Sequence, residues 1–461
     1  MSIRFTRGTK FLTKVNEEAM SLKRGLGPMQ IQLISLGGII GSGYFMGVGS
    51  TIAENGTASI LAYILGGVIV WLVAIAMGEL SVGMPRAGSF ISQSRELLGK
   101  HWAAGVGWSY WFNWCAYIPS EMVAGGMILH RFFPHISVIS WASLFGIIIT
   151  GVNLMNVKYF GRIESTLALL KITAMTTFTG VAACILFGLK TGTPVPPTAQ
   201  ILAEPFPGGN FAFLATMVLV LVNFQGTELI ALSAAETADP EKSIPKASRN
   251  VALRSIALYV LPLTLLILIF PWKEAGVERS VFSEALFRYN FKGLAQLFDL
   301  MIVTAALSCA NSGLYGAARS LYGLGVEKMA PQFVTRLNHA DVPAAATLMT
   351  IAGCWAFLPL YTFFEGSHFY TWLLSVSGFT GSICWISISL CQIRFRQKLA
   401  KKASSLPYKM PGFPILSWVS VGLQTGCILL IVFHPTLRSA LVLGVPSFLI
   451  PVFVSWVTSK N

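Results

Sequence analysis

Apolar residues fill this chain in stretches of about twenty, separated by short polar breaks, and twenty is the length a helix needs to cross the hydrocarbon core of a bilayer. The stretches are continuous rather than alternating, which favours membrane helices over a β-barrel. The polar breaks predict spans near 28–54, 59–83, 102–129, 136–155, 163–189, 209–236, 252–270, 293–320, 343–364, 368–391, 415–433 and 437–457. Twelve is an even number, so both termini are expected on one side of the membrane.

Two of the runs are flawed as helices. Gly37, Gly38, Gly41, Gly43, Gly47 and Gly49 fall inside the first, and each glycine weakens a helix by roughly 1 kcal/mol relative to alanine. A break at Gly41-Ser42-Gly43 would bare N–H and C=O groups, tolerable at membrane depth only where they line a cavity or bind something. The same glycines also suit a close-packed helix pair. The sixth run carries Asn223-Phe224-Gln225-Gly226-Thr227-Glu228 in its middle. Two interrupted spans five apart are the pattern of a five-plus-five inverted repeat with its substrate site between the breaks. The halves would be residues 28–190 and 209–391, with the last two spans, 415–457, outside the repeat. Residues 1–27 read either as an amphipathic interfacial helix or as an unstructured tail.

Composition agrees: 54% of the 461 residues are hydrophobic and 11% charged, against about 25% charged in a soluble domain. The net charge of +14 invites a nucleic-acid partner, but its placement does not. Basic residues gather in the N-terminal tail (Arg4 to Arg24) and in alternate loops, most densely from Arg394 to Lys409. That is the positive-inside pattern, which puts both termini in the cytoplasm and leaves the bilayer, not nucleic acid, as the partner. The seven cysteines lie in apolar stretches without CxxC spacing and read as small buried hydrophobes rather than disulfides or metal ligands. Enzyme motifs such as HExxH, GxSxG and the P-loop are absent. No cofactor or metal is implied.

Ionisable side chains within spans are costly and are candidates for function. Lys171 sits a turn or two inside the fifth predicted span; a desolvated lysine titrates readily, which suits a proton carrier, and the alternative is a structural charge. Glu121 can accept a substrate ammonium or hydrogen-bond within the bundle. Glu79 and Glu228 are open in the same way. Asp299 reads as solvated surface charge, and the segment 236–247, with its prolines and alternating charges, as a structured cytoplasmic loop.

Taken together, GGIIGSGYFMGVGS (37–50), MPRAGSF (84–90), FQGTELIALSAAETADPEKSIPKA (224–247), NSGLYGAARSLY (311–322) and YTWLLSVSGFTGSICWI (370–386) resemble the amino acid–polyamine–organocation superfamily, in its bacterial amino acid permease branch. The resemblance covers nearly the whole chain. It implies an all-α integral membrane protein of twelve helices with the leucine-transporter-type inverted repeat. It implies proton-coupled uptake of L-amino acids across the cytoplasmic membrane, with an exchanger, a sodium-coupled symporter or a non-transporting amino acid sensor as alternatives. The proton is then the only coupling species.

The resemblance also implies roles. The substrate carboxylate meets amides at Gly41, Ser42 and Gly43; its ammonium meets carbonyls near Ile39, Ile40 and Phe224. Asn223, Gly226 and Thr227 complete the sixth-span break. Lys171 approaches the first break and the eighth span around Ser308 and Ser312. Relatives carry an aromatic lid where this chain has Val222, so the lid comes from elsewhere, such as Tyr44, or the pocket takes a bulkier side chain. Discrimination among side chains then falls to Val222, Asn223 and Glu121.

Overall fold

The computed structural model describes residues 28–84, 89–189, 191–232, 240–363, 366–406 and 408–459. Among these the chain is helical throughout, with no strand. In chain order the helices are α1 (Pro28–Ile39), α2 (Ser42–Phe45), α3 (Val48–Asn55), α4 (Ala58–Gly83), α5 (Ser89–Leu97), α6 (Lys100–Phe132), α7 (Val138–Asn153), α8 (Val157–Leu186) and α9 (Thr198–Leu202). There follow α10 (Gly209–Val222), α11 (Leu229–Leu232), α12 (Pro240–Ile269), α13 (Val281–Arg288), α14 (Lys292–Val326), α15 (Ala344–Trp355), α16 (Gly366–Leu399), α17 (Ile415–Ile431) and α18 (Leu441–Thr458). Helix covers part or all of each predicted span. Among the described residues seven helices are long and apolar enough to cross a membrane, and an eighth crossing is available if the bent pair around residue 40 counts as one. This is a multi-pass membrane protein.

Two helices carry side-chain caps: the Ser137 hydroxyl accepts from the Ser140 amide ahead of α7, and the Asn156 side chain accepts from the Lys158 amide ahead of α8. The amphipathic stretch expected in residues 1–27 and the residues 233–239 of the expected cytoplasmic loop lie outside the described residues. From Pro240 onward that loop is helix, continuous with the following span as α12, and a proline at the first helical position forfeits little.

Helix α8 shows how burial is arranged. Its buried residues include Phe160, Glu164, Ala168, Lys171, Met175, Phe178, Ala182 and Ile185, a stripe repeating at three and four residues. Apolar side chains such as Ile163, Leu169 and Leu170 are exposed on the opposite face, as a bilayer requires. Glu164 and Lys171 are thereby carried inward together.

Two carboxylates, one left open in sequence and one read as solvated surface charge, turn out to be fastened. Glu79 receives the Arg396 guanidinium, Gln392 Nε2 at 3.2 Å and the Met410 amide, which ties α4 to α16 and the segment beyond it. Asp299 is not a free surface charge. It accepts from the Ser283 hydroxyl at 2.6 Å and lies 4.0 Å from Arg131. The cysteines are buried except Cys184, which is exposed on an apolar stretch of α8.

Candidate functional site

The first span breaks where the glycines predicted. Helix α1 ends at Ile39, Gly41 is extended (φ −116°, ψ −168°), and the chain resumes in α2 at 44° to its first direction. The second break runs from Asn223 to Glu228, between α10 and α11. The two meet backbone to backbone. A Cβ on Gly226 would lie 2.7 Å from both C and O of Gly38, and Gly226 has φ +106°. Only glycine satisfies both conditions.

One side chain joins the breaks. The Tyr259 hydroxyl from α12 lies 2.9 Å from the Ile39 carbonyl and 2.8 Å from the Asn223 carbonyl. Tyr259 is held in turn by the Tyr44 hydroxyl, which donates to its carbonyl at 2.7 Å, and by stacking of the two rings at 4.1 Å. Tyr259→Phe keeps the stack and removes only the bridge. It is expected to lower uptake about tenfold, from the loss of roughly one hydrogen bond's worth of energy, with the melting temperature little changed. Initial-rate uptake beside a thermal melt checks this.

Glu121 of α6 reaches the first break: the Ser42 amide donates to its Oε2 at 2.8 Å. The Ser42 hydroxyl pairs with the Tyr370 hydroxyl at 3.1 Å. So the amide expected to hold a substrate carboxylate holds an internal one here, and Ile39, Ile40, Ser42 and Tyr44 are fully buried. Gly43 faces Asn223 and Tyr117. Asn223 Nδ2 donates to the Tyr63 hydroxyl at 2.6 Å, Phe224 packs against the Tyr63 and Tyr259 rings, and Val222 is buried at the end of α10.

The rest of the second break is secured by Glu228. Its carboxylate accepts from the Gly226 amide at 3.1 Å, from the Tyr110 hydroxyl at 3.0 Å, from Trp385 Nε1 at 3.1 Å and from Thr227 at 3.4 Å. A buried carboxylate surrounded by donors is a structural anchor. Gln225 donates to the Ser377 carbonyl at 3.0 Å, fixing the break to α16.

Behind the first break lies a second charged group. Lys171 Nζ donates to the Gly37 carbonyl at 2.5 Å. Glu164, two turns earlier on α8, accepts from the Ser308 hydroxyl and from Asn311 Nδ2 at 2.9 Å, and Lys171 lies within electrostatic range of both Glu164 and Glu121. The Cys309 thiol donates to the Gly38 carbonyl at 2.9 Å, so this cysteine is not inert packing. Ser312 is buried one turn beyond Ser308, its Cβ facing Gly38.

Sequence reasoning had missed Glu164, Tyr259, Tyr370 and Cys309. For Glu164 a signal existed, since seven residues separate it from Lys171 and a heptad returns to the same helix face. The tyrosines carried none; they stand among many aromatics that pack or face lipid.

Comparisons with known proteins agree with one another. The profile of the family described as Amino acid permease matches residues 30–460. The amino-acid permease RocC of Bacillus subtilis (strain 168) is 35% identical over 437 residues, covering 92% of each chain. The lysine-specific permease LysP of Escherichia coli (strain K12) is 33% identical, covering 86% of this chain and 84% of its own. The histidine permease HisP of Lactococcus lactis subsp. cremoris (strain MG1363) is 31% identical, covering 89% and 88%.

Proposed function

Because the chain belongs to the amino acid permease family, whose members are transporters rather than enzymes, we propose that it takes up L-amino acids across the cytoplasmic membrane by proton-coupled symport. The fold we propose is the leucine-transporter-type five-plus-five repeat, with its two broken spans at 40–41 and 223–228 and both termini cytoplasmic. Alternating access works on the closed centre, opening it to one side at a time. The substrate carboxylate takes the amides of Ser42 and Gly43, and the ammonium takes carbonyls near Ile39, Ile40 and Phe224. Lys171, with Ser308 and Ser312 beside it, carries the proton, and no other cofactor takes part.

The observation that carries this reading is the double break itself, two unwound segments in backbone contact with the Tyr259 hydroxyl between their carbonyls. Irregular backbone at this depth in a helical bundle is the signature of a transported ligand's site. The Lys171 ammonium on the Gly37 carbonyl supports protons over sodium, because a fixed cation there repels a second one. Counterflow into liposomes preloaded with amino acid tests the transport reading. Rapid exchange of external label is expected for a transporter, symporter or exchanger alike, and none for a sensor.

A further inference from the structure

Resting on that transport reading, the unfilled hydrogen-bonding capacity at the first break points to the kind of amino acid carried. Among the described residues, two fully buried side-chain oxygens beside the Gly41–Gly43 backbone lack a hydrogen-bond partner: Glu121 Oε1 and Asn223 Oδ1. The Cβ directions of Gly41 and Gly43 point at these two atoms. Both oxygens are acceptors. Unpaired groups able to donate include Trp114 Nε1 beside Tyr110, Asn113 Nδ2 in the Ser377–Thr380 cluster and the Ser312 hydroxyl near Gly38, and none of them is met by the Cβ directions of Gly41 or Gly43. Buried acceptors without partners are costly, and a carboxylate oxygen most of all.

Charge gives the same sign. Around the first break stand two carboxylates, Glu121 and Glu164, each within electrostatic range of one ammonium, Lys171. Glu164 has the Ser308 hydroxyl and Asn311 besides, whereas Glu121 has the Ser42 amide on one oxygen and the Tyr117 hydroxyl close by. Tyr117, whose hydroxyl adjoins Glu121, and Tyr370 are buried beside it, and phenol rings favour a neighbouring cation.

The Ser42 amide is already spent on Glu121 Oε2. A substrate carboxylate that takes this amide therefore evicts Glu121, which then needs a new donor. A neutral amino acid brings one ammonium, which the backbone carbonyls of the break already claim. A substrate with a second cationic group brings two. We propose that the site selects amino acids with a cationic side chain, an alkylamine or a guanidinium. Glu121 moves from the Ser42 amide to that side-chain cation as the substrate carboxylate replaces it, and Asn223 Oδ1 accepts a further N–H.

The test is equilibrium binding to the full chain in lipid nanodiscs, comparing L-lysine with L-norleucine, which has the same chain without the terminal amine. Lysine is expected to bind at least about tenfold more tightly. In Glu121→Gln that ratio is expected to fall to within about threefold, and in Glu121→Asp to be partly restored. Norleucine binding within threefold of lysine in the unmutated protein overturns the proposal, and that comparison holds even if a variant fails to fold. A lysine preference undiminished in folded Glu121→Gln overturns the role of Glu121. If Glu121 holds only a proton, the two ligands bind alike. Absence of counterflow with any amino acid would instead defeat the transport reading.

Discussion

Gly226→Ala is expected to abolish uptake, to below about one hundredth of the normal rate, in a protein that still inserts and purifies. Two independent penalties converge on this position. With φ at +106°, an L-residue is strained by more than the 0.4–1 kcal/mol that glycine-to-alanine changes otherwise gain. The new Cβ would also sit 2.7 Å from C and O of Gly38, closer than any real contact, and both sides are backbone. The two breaks must therefore move apart, which pulls the Asn223 and Ile39 carbonyls off the single Tyr259 hydroxyl that spans them. Displacing positioning groups by about 1 Å can cost a hundredfold. Gly180→Ala is the control, since its Cβ would meet nothing within 4 Å and uptake is expected to persist. Radiolabel uptake normalised to reconstituted protein checks both; near-normal uptake by Gly226→Ala would mean that the close approach of the breaks is dispensable.

Lys171→Ala is expected to end accumulation driven by a proton gradient while exchange of internal for external substrate continues at a reduced rate. The substitution removes the ammonium from the Gly37 carbonyl and leaves Glu164 facing no cation among the groups around the break. Removing the nearby counter-charge of a buried carboxylate is destabilising, so lost stability could imitate lost coupling. Pairing Lys171→Ala with Glu164→Gln separates the two. The double variant is expected to recover part of the stability, since Glu164 no longer carries an unopposed charge, yet to remain unable to accumulate substrate. Accumulation restored in the double variant would remove Lys171 from the proton path.

The glycine run at 37–49 foretold the first break because backbone flexibility is written in residue type, and the second followed from polar residues in an apolar run. Both are one-dimensional signals. Rotation about the helix axis is not one. In a soluble helix the apolar stripe marks the inward face, but here Leu169 and Leu170 face outward as readily as Met175 and Phe178 face inward. Lipid and core look alike in sequence. That is why Glu121 could not be aimed from sequence, why Glu79 and Glu228 stayed open until their partners on distant helices were seen, and why Tyr259, on a helix outside both breaks, was missed altogether. The resemblance in the motifs did reach the family, since those strings report the backbone breaks rather than the lining of the pocket.

The central claim is that this double break couples an amino acid to a proton. Proteoliposomes loaded at alkaline pH and diluted into acidic buffer containing labelled L-lysine test it most directly. Internal lysine should rise above the external concentration, collapse on addition of a protonophore, and be unchanged when sodium is replaced by choline. Filling only to the external concentration, or accumulation that requires sodium, would contradict it.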